Sequence, residues 1–403
     1  MKVLVADDSS LFRRVLTEAL KTFPGIETID QAPNGRLALA KVEKIQPDLL
    51  TLDMEMPEMD GLAVLDALKR FPNPPVVIVV SALTKKGGHL TIKAMQHGAF
   101  DFITKPATSN FDESFATLLG ELAPRLKSLS VRFNVRGILR RQQRTSADPN
   151  AGPSAAPAPG DARSQAPAAP SPHAKPPPDQ AASRSSDRAP ERTSDRTAGP
   201  APSRPARLAA PEMLLIGVST GGPNALDRLI PALPATLGVP VFIVQHMPPL
   251  FTKSLAEHLA VKSALKVCEA AHDTIAEAGT VYIAPGGHHM QLAHGANGQP
   301  LIQITDEEPE NHCRPSVDYL FRSAANQFPG RAMAVILTGM GNDGTQGLRL
   351  LKRHGCFVIA QDEATCVVYG MPKIAVEAGV VDRVLPLDAI AEGVVAAIKG
   401  RHS

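Results

Sequence analysis

Lys2-Val3-Leu4-Val5-Ala6-Asp7-Asp8 is a short aliphatic run that stops on two adjacent acids. The run is too short for a helix and apolar from Val3 to Ala6, so it reads as a strand buried on both faces, the kind that sits inside a parallel α/β sheet. Further runs follow at 26–31, 48–53, 76–80 and 100–103, with amphipathic helical patterns between them. The last of these places Phe115, Leu118, Leu119, Leu122 and Leu126 at helical spacing and closes a first domain over residues 1–128.

Polar residues stand where these strands end. Asp7 and Asp8 follow the first, Asp53 ends the third, Ser81 follows the fourth, and Lys105-Pro106 follows the fifth. In an open parallel sheet the carboxyl tips of the strands are where ligands gather. Three carboxylates on one rim repel one another unless a hard divalent cation joins them, and Mg²⁺ prefers such oxygen ligands, which makes Asp7, Asp8 and Asp53 the metal candidates. With that charge shielded, one carboxylate can attack a phosphoryl donor. Lys105 then pairs with the phosphoryl oxygens and Ser81 donates a hydrogen bond to one of them. A lone acid at a strand end is more often a cap or a solvated loop residue, but five such residues in order, Asp7, Asp8, Asp53, Ser81 and Lys105, carry the set. The segment resembles the receiver domain of response regulators. That resemblance makes Asp53 the phosphoacceptor, implies a flavodoxin-like parallel sheet, and puts Phe102 at the position of a switching aromatic, although a core phenylalanine is an equally plain reading.

The 403 residues exceed one hydrophobic core, and their 43% hydrophobic content conceals two apolar ends around a polar middle. From about 144 to 207 the chain is Pro, Ala, Ser, Arg and Asp with few large apolar side chains, which cannot offset the entropy of ordering. Residues 129–210 are therefore expected to be a disordered Pro/Ala-rich linker. Some 65 flexible residues have an r.m.s. span of roughly 45 Å, which lowers the effective concentration of one domain for the other. The 42 basic and 40 acidic residues leave a formal charge of +2, which supplies no electrostatic drive toward nucleic acid or anionic membrane. No stretch has the length of a signal peptide core or a membrane span. Cys268, Cys313, Cys356 and Cys366 form no C-x-x-C pair, which reads as reduced thiols in a cytoplasmic protein without a structural zinc site.

From 211 to 400 the α/β alternation returns, with strands expected at 213–218, 239–245, 280–284, 332–338 and 356–361. An extra run at 301–304 suggests an antiparallel strand and a mixed second sheet. The first strand leads into Gly217-Val218-Ser219-Thr220-Gly221, a G-x-S-x-G turn of the kind that exposes a serine hydroxyl while nearby amides can hold an oxyanion. A cap or a phosphate cradle reads equally well from that turn alone. The next strand delivers His246 at its tip, and the strand at 332–338 ends in Gly339-Met340-Gly341-Asn342-Asp343-Gly344. Serine, base and orienting acid thus converge as Ser219, His246 and Asp343. Their order differs from the Ser, Asp, His of α/β-hydrolases, so a different α/β fold is expected. His288, His289 and His312 lie in glycine-rich or acidic loops and read as surface or substrate-loop residues.

With these motifs placed, 211–400 resembles the catalytic domain of the chemotaxis methylesterase family. The resemblance rests on Gly217 to Pro223, Gln245 to Pro248, Ala284 to His289, Leu337 to Gly344 and Val367 to Pro372. It implies hydrolysis of receptor glutamate methyl esters by Ser219 with release of methanol, deamidation of receptor glutamines by the same acyl chemistry, and a Met340 amide that helps hold the oxyanion. It implies no cofactor in the catalytic domain. Methylated chemoreceptors are the expected substrates, a chemotaxis histidine kinase the phosphodonor, and relief of inhibition the effect of phosphorylation. Two rivals are a DNA-binding regulator, for which no recognition helix or basic face is present, and a non-catalytic receptor adaptor, against which the complete Ser219, His246 and Asp343 set speaks.

Overall fold

The computed structural model of the chain describes residues 1–108, 110–146 and 210–400. The amino-terminal half alternates β1 (Lys2–Ala6), α1 (Ser10–Lys21), β2 (Thr28–Ala32), α2 (Gly35–Ile45), β3 (Leu49–Asp53), α3 (Gly61–Leu68), β4 (Val76–Ala82), α4 (Lys85–Gln96), β5 (Asp101–Lys105) and α5 (Phe111–Ser146). Its sheet has the order β2-β1-β3-β4-β5, and every pairing is parallel. This is the expected flavodoxin-like winding. Val3, Leu4, Val5 and Ala6 are all buried, with alternate side chains entering opposite layers. Side-chain oxygens start the helices: Ser9, Asn34, Asp60 and Thr84 each accept a hydrogen bond from a first-turn amide. Two site residues sit one element earlier than expected, because β4 and β5 run on to include Ser81 and Lys105.

α5 continues past the expected domain end at 128, in keeping with Leu126 and Leu129, which extend its buried stripe. The rest of the expected linker, 147–209, lies outside the described residues.

The carboxy-terminal half contains β6 (Met213–Val218), α6 (Gly222–Ala232), β7 (Val241–Gln245), α7 (Phe251–Lys262), β8 (Lys266–Glu269), β9 (Thr274–Ile275), β10 (Thr280–Ile283), β11 (His289–His294) and β12 (Pro300–Thr305). It ends with α8 (Val317–Gln327), β13 (Ala332–Ile336), α9 (Thr345–Arg353), β14 (Phe357–Gln361), α10 (Met371–Glu377), β15 (Arg383–Leu385) and α11 (Leu387–Ile398). The main sheet, ordered β15-β14-β13-β6-β7-β10-β8, pairs in parallel throughout. The extra strand at 301–304 is present as β12 and is antiparallel, but it does not mix into that sheet. It joins β11 and β9 in a separate three-stranded sheet. The reason is visible in its burial: Ile302 alone is fully covered while its neighbours are half-exposed. Such a strand suits a sheet with one solvated face rather than the middle of a doubly covered one.

β6 lies between β13 and β7, so the chain leaves it toward both sides of the sheet. A crevice opens at the carboxyl ends of the strands at such a switch point. The residues that follow β6, β7 and β13 include Ser219, His246 and Asp343 respectively.

Candidate active site

In the amino-terminal half, Lys105 Nζ lies 2.6 Å from Asp53 Oδ2 and 2.8 Å from Asp7 Oδ2. Asp7 and Asp53 are buried and Asp8 is exposed, and the three offer carboxylate oxygens within 4.8 Å of one another. Burial, and then the charge of Asp53, push Asp7 up to about 6. Burial also raises Asp53, against the pull of Lys105. Asp7 Oδ2 is buried and makes no hydrogen bond, although it is within ion-pair distance of Lys105. An all-oxygen donor set with strained anionic charge and an oxygen left over fits a hard divalent cation such as Mg²⁺. A cavity of about 320 Å³ beside it is bordered by Asp8, Asp53, Ser81 and Lys105. Ser81 Oγ donates to Gly87 O at 3.2 Å.

In the other half, the turn after β6 is tied down from several directions. The Ser219 amide donates to Thr338 O at 3.0 Å, and its carbonyl accepts from the Gly222 amide at 2.8 Å and from Gln245 Nε2 at 2.9 Å. Two glycines allow this closeness. A Cβ on Gly222 would stand 1.8 Å from Gln245 Oε1, and one on Gly339 2.8 Å from Ser219 Cβ. The hydroxyl-bearing residue is thereby pressed against the loop that carries Met340 and Asp343. The Met340 amide donates to no backbone carbonyl among the described residues, as an oxyanion donor requires.

His246 Nε2 is 2.7 Å from Asp343 Oδ2, so Nε2 carries the proton and Nδ1 is the basic atom. Asp343 is nearly fully buried, yet its carboxylate is well supplied with donors. Oδ1 accepts from Ser316 Oγ, Asn311 Nδ2 and the Asp318 and Gly344 amides, while Oδ2 also accepts from the Val317 amide. Burial alone would raise its pKa. The hydrogen bond and charge of His246, with those amides, override burial and hold it far below the ordinary carboxylate range. Burial would lower His246, but its hydrogen bond to Asp343 and the charge of that carboxylate hold it above the usual histidine value. Cys313 Sγ is 3.6 Å from Nδ1, and among the described residues Ser219 Oγ makes no hydrogen bond to that nitrogen. Ser219 and His246 nevertheless border one cavity of about 690 Å³ together with Met340.

The opposite wall of that cavity comes from the amino-terminal half, including Asp101, Phe102 and Pro124. Asp101 Oδ2 accepts from Thr220 Oγ1 at 2.9 Å and from Arg125 Nε at 3.0 Å, and Phe102 stacks on Phe251 at 5.2 Å. Gln96 reaches Asp227, and α4 lies along α7. The two halves pack together despite the length of chain between them. Phe102 is thus a core residue of the contact between halves rather than of one half alone.

The model of the response regulator receiver domain matches residues 3–112, and that of the CheB methylesterase matches 214–394. A protein-glutamate methylesterase/protein-glutamine glutaminase of Desulfotalea psychrophila is 42% identical over 401 residues, 99% of each chain. One of Archaeoglobus fulgidus is 39% identical over 98% of this chain and 97% of its own. The chain belongs to the CheB methylesterase family. The solved catalytic domain of Thermotoga maritima CheB is 45% identical, covering 46% of this chain and 97% of its own, with a TM-score of 0.45.

The residues singled out from sequence lie at one or other of the two sheet rims. One reading of the sequence needs correction. His289 is not a surface residue: it is fully buried, stacks on Tyr319 at 4.3 Å, accepts from the Ser316 amide at Nδ1, and meets Glu308 O through Nε2. Packing around the start of α8 covers it. His288 is exposed and pairs with Asp306, and His312 borders the active-site cavity. Asn311, Cys313, Asp318 and Thr220 were not anticipated. Thr220 adjoins Ser219 in the turn after β6. The other three belong to the segment 311–318, whose polar density ahead of a capped helix was the available signal.

Proposed function

We propose that this chain hydrolyses glutamate methyl esters on chemoreceptors, releasing methanol, and deamidates receptor glutamines, under control of phosphorylation at Asp53. The carrying observation is the bond between His246 and Asp343 at 2.7 Å on the rim that also presents Ser219. Asp343 holds the proton on Nε2, which leaves Nδ1 to take the Ser219 proton once the Cys313 thiol gives way. Ser219 Oγ attacks the ester carbon, the Met340 amide meets the developing oxyanion, and the proton on His246 passes to the departing methoxide. Water, deprotonated by the same nitrogen, then releases the glutamate and restores the serine. An amide leaving group follows the same path with ammonia as product.

Asp7, Asp8 and Asp53 are the residues to hold Mg²⁺, which when bound offsets the charge of the carboxylates and of an incoming phosphoryl group. Lys105 pairs with the phosphoryl oxygens, and Ser81 turns from Gly87 O to donate to one of them. A chemotaxis histidine kinase supplies the phosphoryl group, and the setting is cytoplasmic. No helix among the described residues is long and apolar enough to cross a membrane. Asp101, Phe102 and Pro124 of the receiver share the lining of the cavity with Ser219 and His246. Movement of the receiver away from this lining opens Ser219 to a protein substrate, and the Asp53 site is the place to drive that motion.

The test is methanol release from methylated receptor by the wild type, Ser219→Ala and Asp53→Ala, each with and without a small-molecule phosphodonor. Release should vanish in Ser219→Ala, and its stimulation by the donor should vanish in Asp53→Ala. Release by the wild type that is equal with and without donor would overturn the regulatory half. No release under any condition would overturn the catalytic half and favour the adaptor.

A further inference from the structure

Behind Asp343 lies a second buried carboxylate, Asp318, on the first turn of α8 and only 2% exposed. Its Oδ2 accepts from Asn311 Nδ2 at 2.9 Å, and the same nitrogen donates to Asp343 Oδ1 at 2.8 Å. One amide group thus spends both protons on two carboxylates and spaces them. The backbone amide of Asp318 adds a further bond to Asp343 Oδ1 at 3.0 Å, while the Gly347 amide supplies its own Oδ1 at 2.7 Å. Acids are common in a first helical turn simply because they suit the helix dipole. That account does not explain this side chain. Ser316 Oγ already accepts from the Tyr319 amide as the cap of α8, and Asp318 turns to Gly347 at the start of α9 and to Asn311.

We propose that Asp318 is a positioning residue for the catalytic acid: through Asn311 it fixes the Asp343 carboxylate against His246 and places a second negative charge behind the base. The inference rests on the reading of Ser219, His246 and Asp343 as an acyl-transfer set. Burial, and then the charge of Asp343, raise Asp318 to about 6, so at neutral pH the second charge is present and in mild acid it is lost. The groups facing it are Asp343, Asn311, the Gly347 amide from α9, and on its own helix Arg322, which feels its charge while paired with Glu310. Two carboxylates held this close are tolerable only while their donors are in place. The arrangement therefore keeps Asp343 from turning away from the imidazole.

Two variants test this in the full-length chain. Asp318→Asn removes the charge and sets an N–H against either Asn311 Nδ2 or the Gly347 amide, both donors. Asn311→Gly removes only the bridging amide, at a backbone position (φ 54°) that glycine adopts freely. On methylated receptor with phosphodonor, both should lower kcat about ten- to a hundredfold, the scale for a slightly misplaced catalytic group. KM should stay within about twofold, since an interaction used in the transition state is the one removed. The second readout is the His246 titration, followed by NMR on ring-labelled histidine and assigned with His246→Gln. Its midpoint should fall by about one unit in Asp318→Asn, as loss of a nearby opposite charge requires. An Asp318 with a merely structural role would lower the melting temperature and leave the midpoint in place, and that result overturns the proposal. So does an unchanged kcat in Asn311→Gly, which decides the matter if Asp318→Asn does not fold. If the wild type releases no methanol, the esterase reading fails on its own and the His246 midpoint alone judges this one.

Discussion

The proton that His246 takes up at Nδ1, stabilised by the Asp343 carboxylate at Nε2, sets how the active site responds to pH. Because the imidazolium is stabilised, the ring should remain protonated at pH values where an ordinary histidine is neutral. Methanol release should therefore rise with pH, with an acid-limb midpoint of kcat/KM above the ordinary value of about 6.5. Asp343→Asn should move that midpoint down, because the charge that held the proton is gone, and should lower kcat by about 10⁴ by favouring the wrong tautomer. A pH–rate profile of both proteins checks this, and a wild-type midpoint at or below the ordinary value would contradict it. Ser219, His246 and Asp53 were legible from the chain because each stands at the end of an apolar run, and Asp343 because it lies in the glycine-rich loop that follows one. Asn311 and Asp318 were not, because their importance is a distance to Asp343, and no local pattern encodes that distance.

At the scale of elements, the turn from β6 to α6 is the demanding piece of backbone. It is closed by Gly222 against Gln245, with no room for a methyl group. Gly222→Ala should cost about 1–3 kcal/mol, as overpacking does, and should also displace Ser219. Urea unfolding and a methanol-release assay on the same sample measure the two effects, and wild-type values in both would show that the turn can relax. Strand positions could be read because β1, β6, β7 and β13 are mostly apolar and almost wholly buried. The strands β8, β9, β11 and β15 escaped notice, since runs that are short, or like β11 interrupted by polar residues, carry little periodic signal. Half-exposure put β12 into a small antiparallel sheet of its own.

For the whole molecule, the contact between receiver and catalytic halves converges on Asp101, which joins Arg125 to Thr220, the neighbour of Ser219. Phe102 packs beside it on Phe251. Asp101→Ala should weaken this docking by one or two kcal/mol and so raise methanol release without phosphodonor roughly fivefold or more. The phosphodonor should then stimulate less. An unchanged basal rate would place the restraint elsewhere on the interface. The long linker argued against tight docking from chain statistics alone, and an apolar contact continuous with both cores offsets that entropy.

Composition and motif order by themselves determined two α/β halves, an acidic rim that holds the proposed phosphoacceptor, and a serine, histidine and aspartate after three strands. Each of those is local, because a strand and the residue that ends it are neighbours in the chain. Tertiary structure alone decided which tips adjoin, since the order β13-β6-β7 comes from crossovers that no local pattern records. It also brought the loop at 311–318 under Asp343 and set Asp101 against Thr220. Those contacts join segments far apart in sequence, and they exist only because burying both faces of two sheets leaves the loops one place to meet.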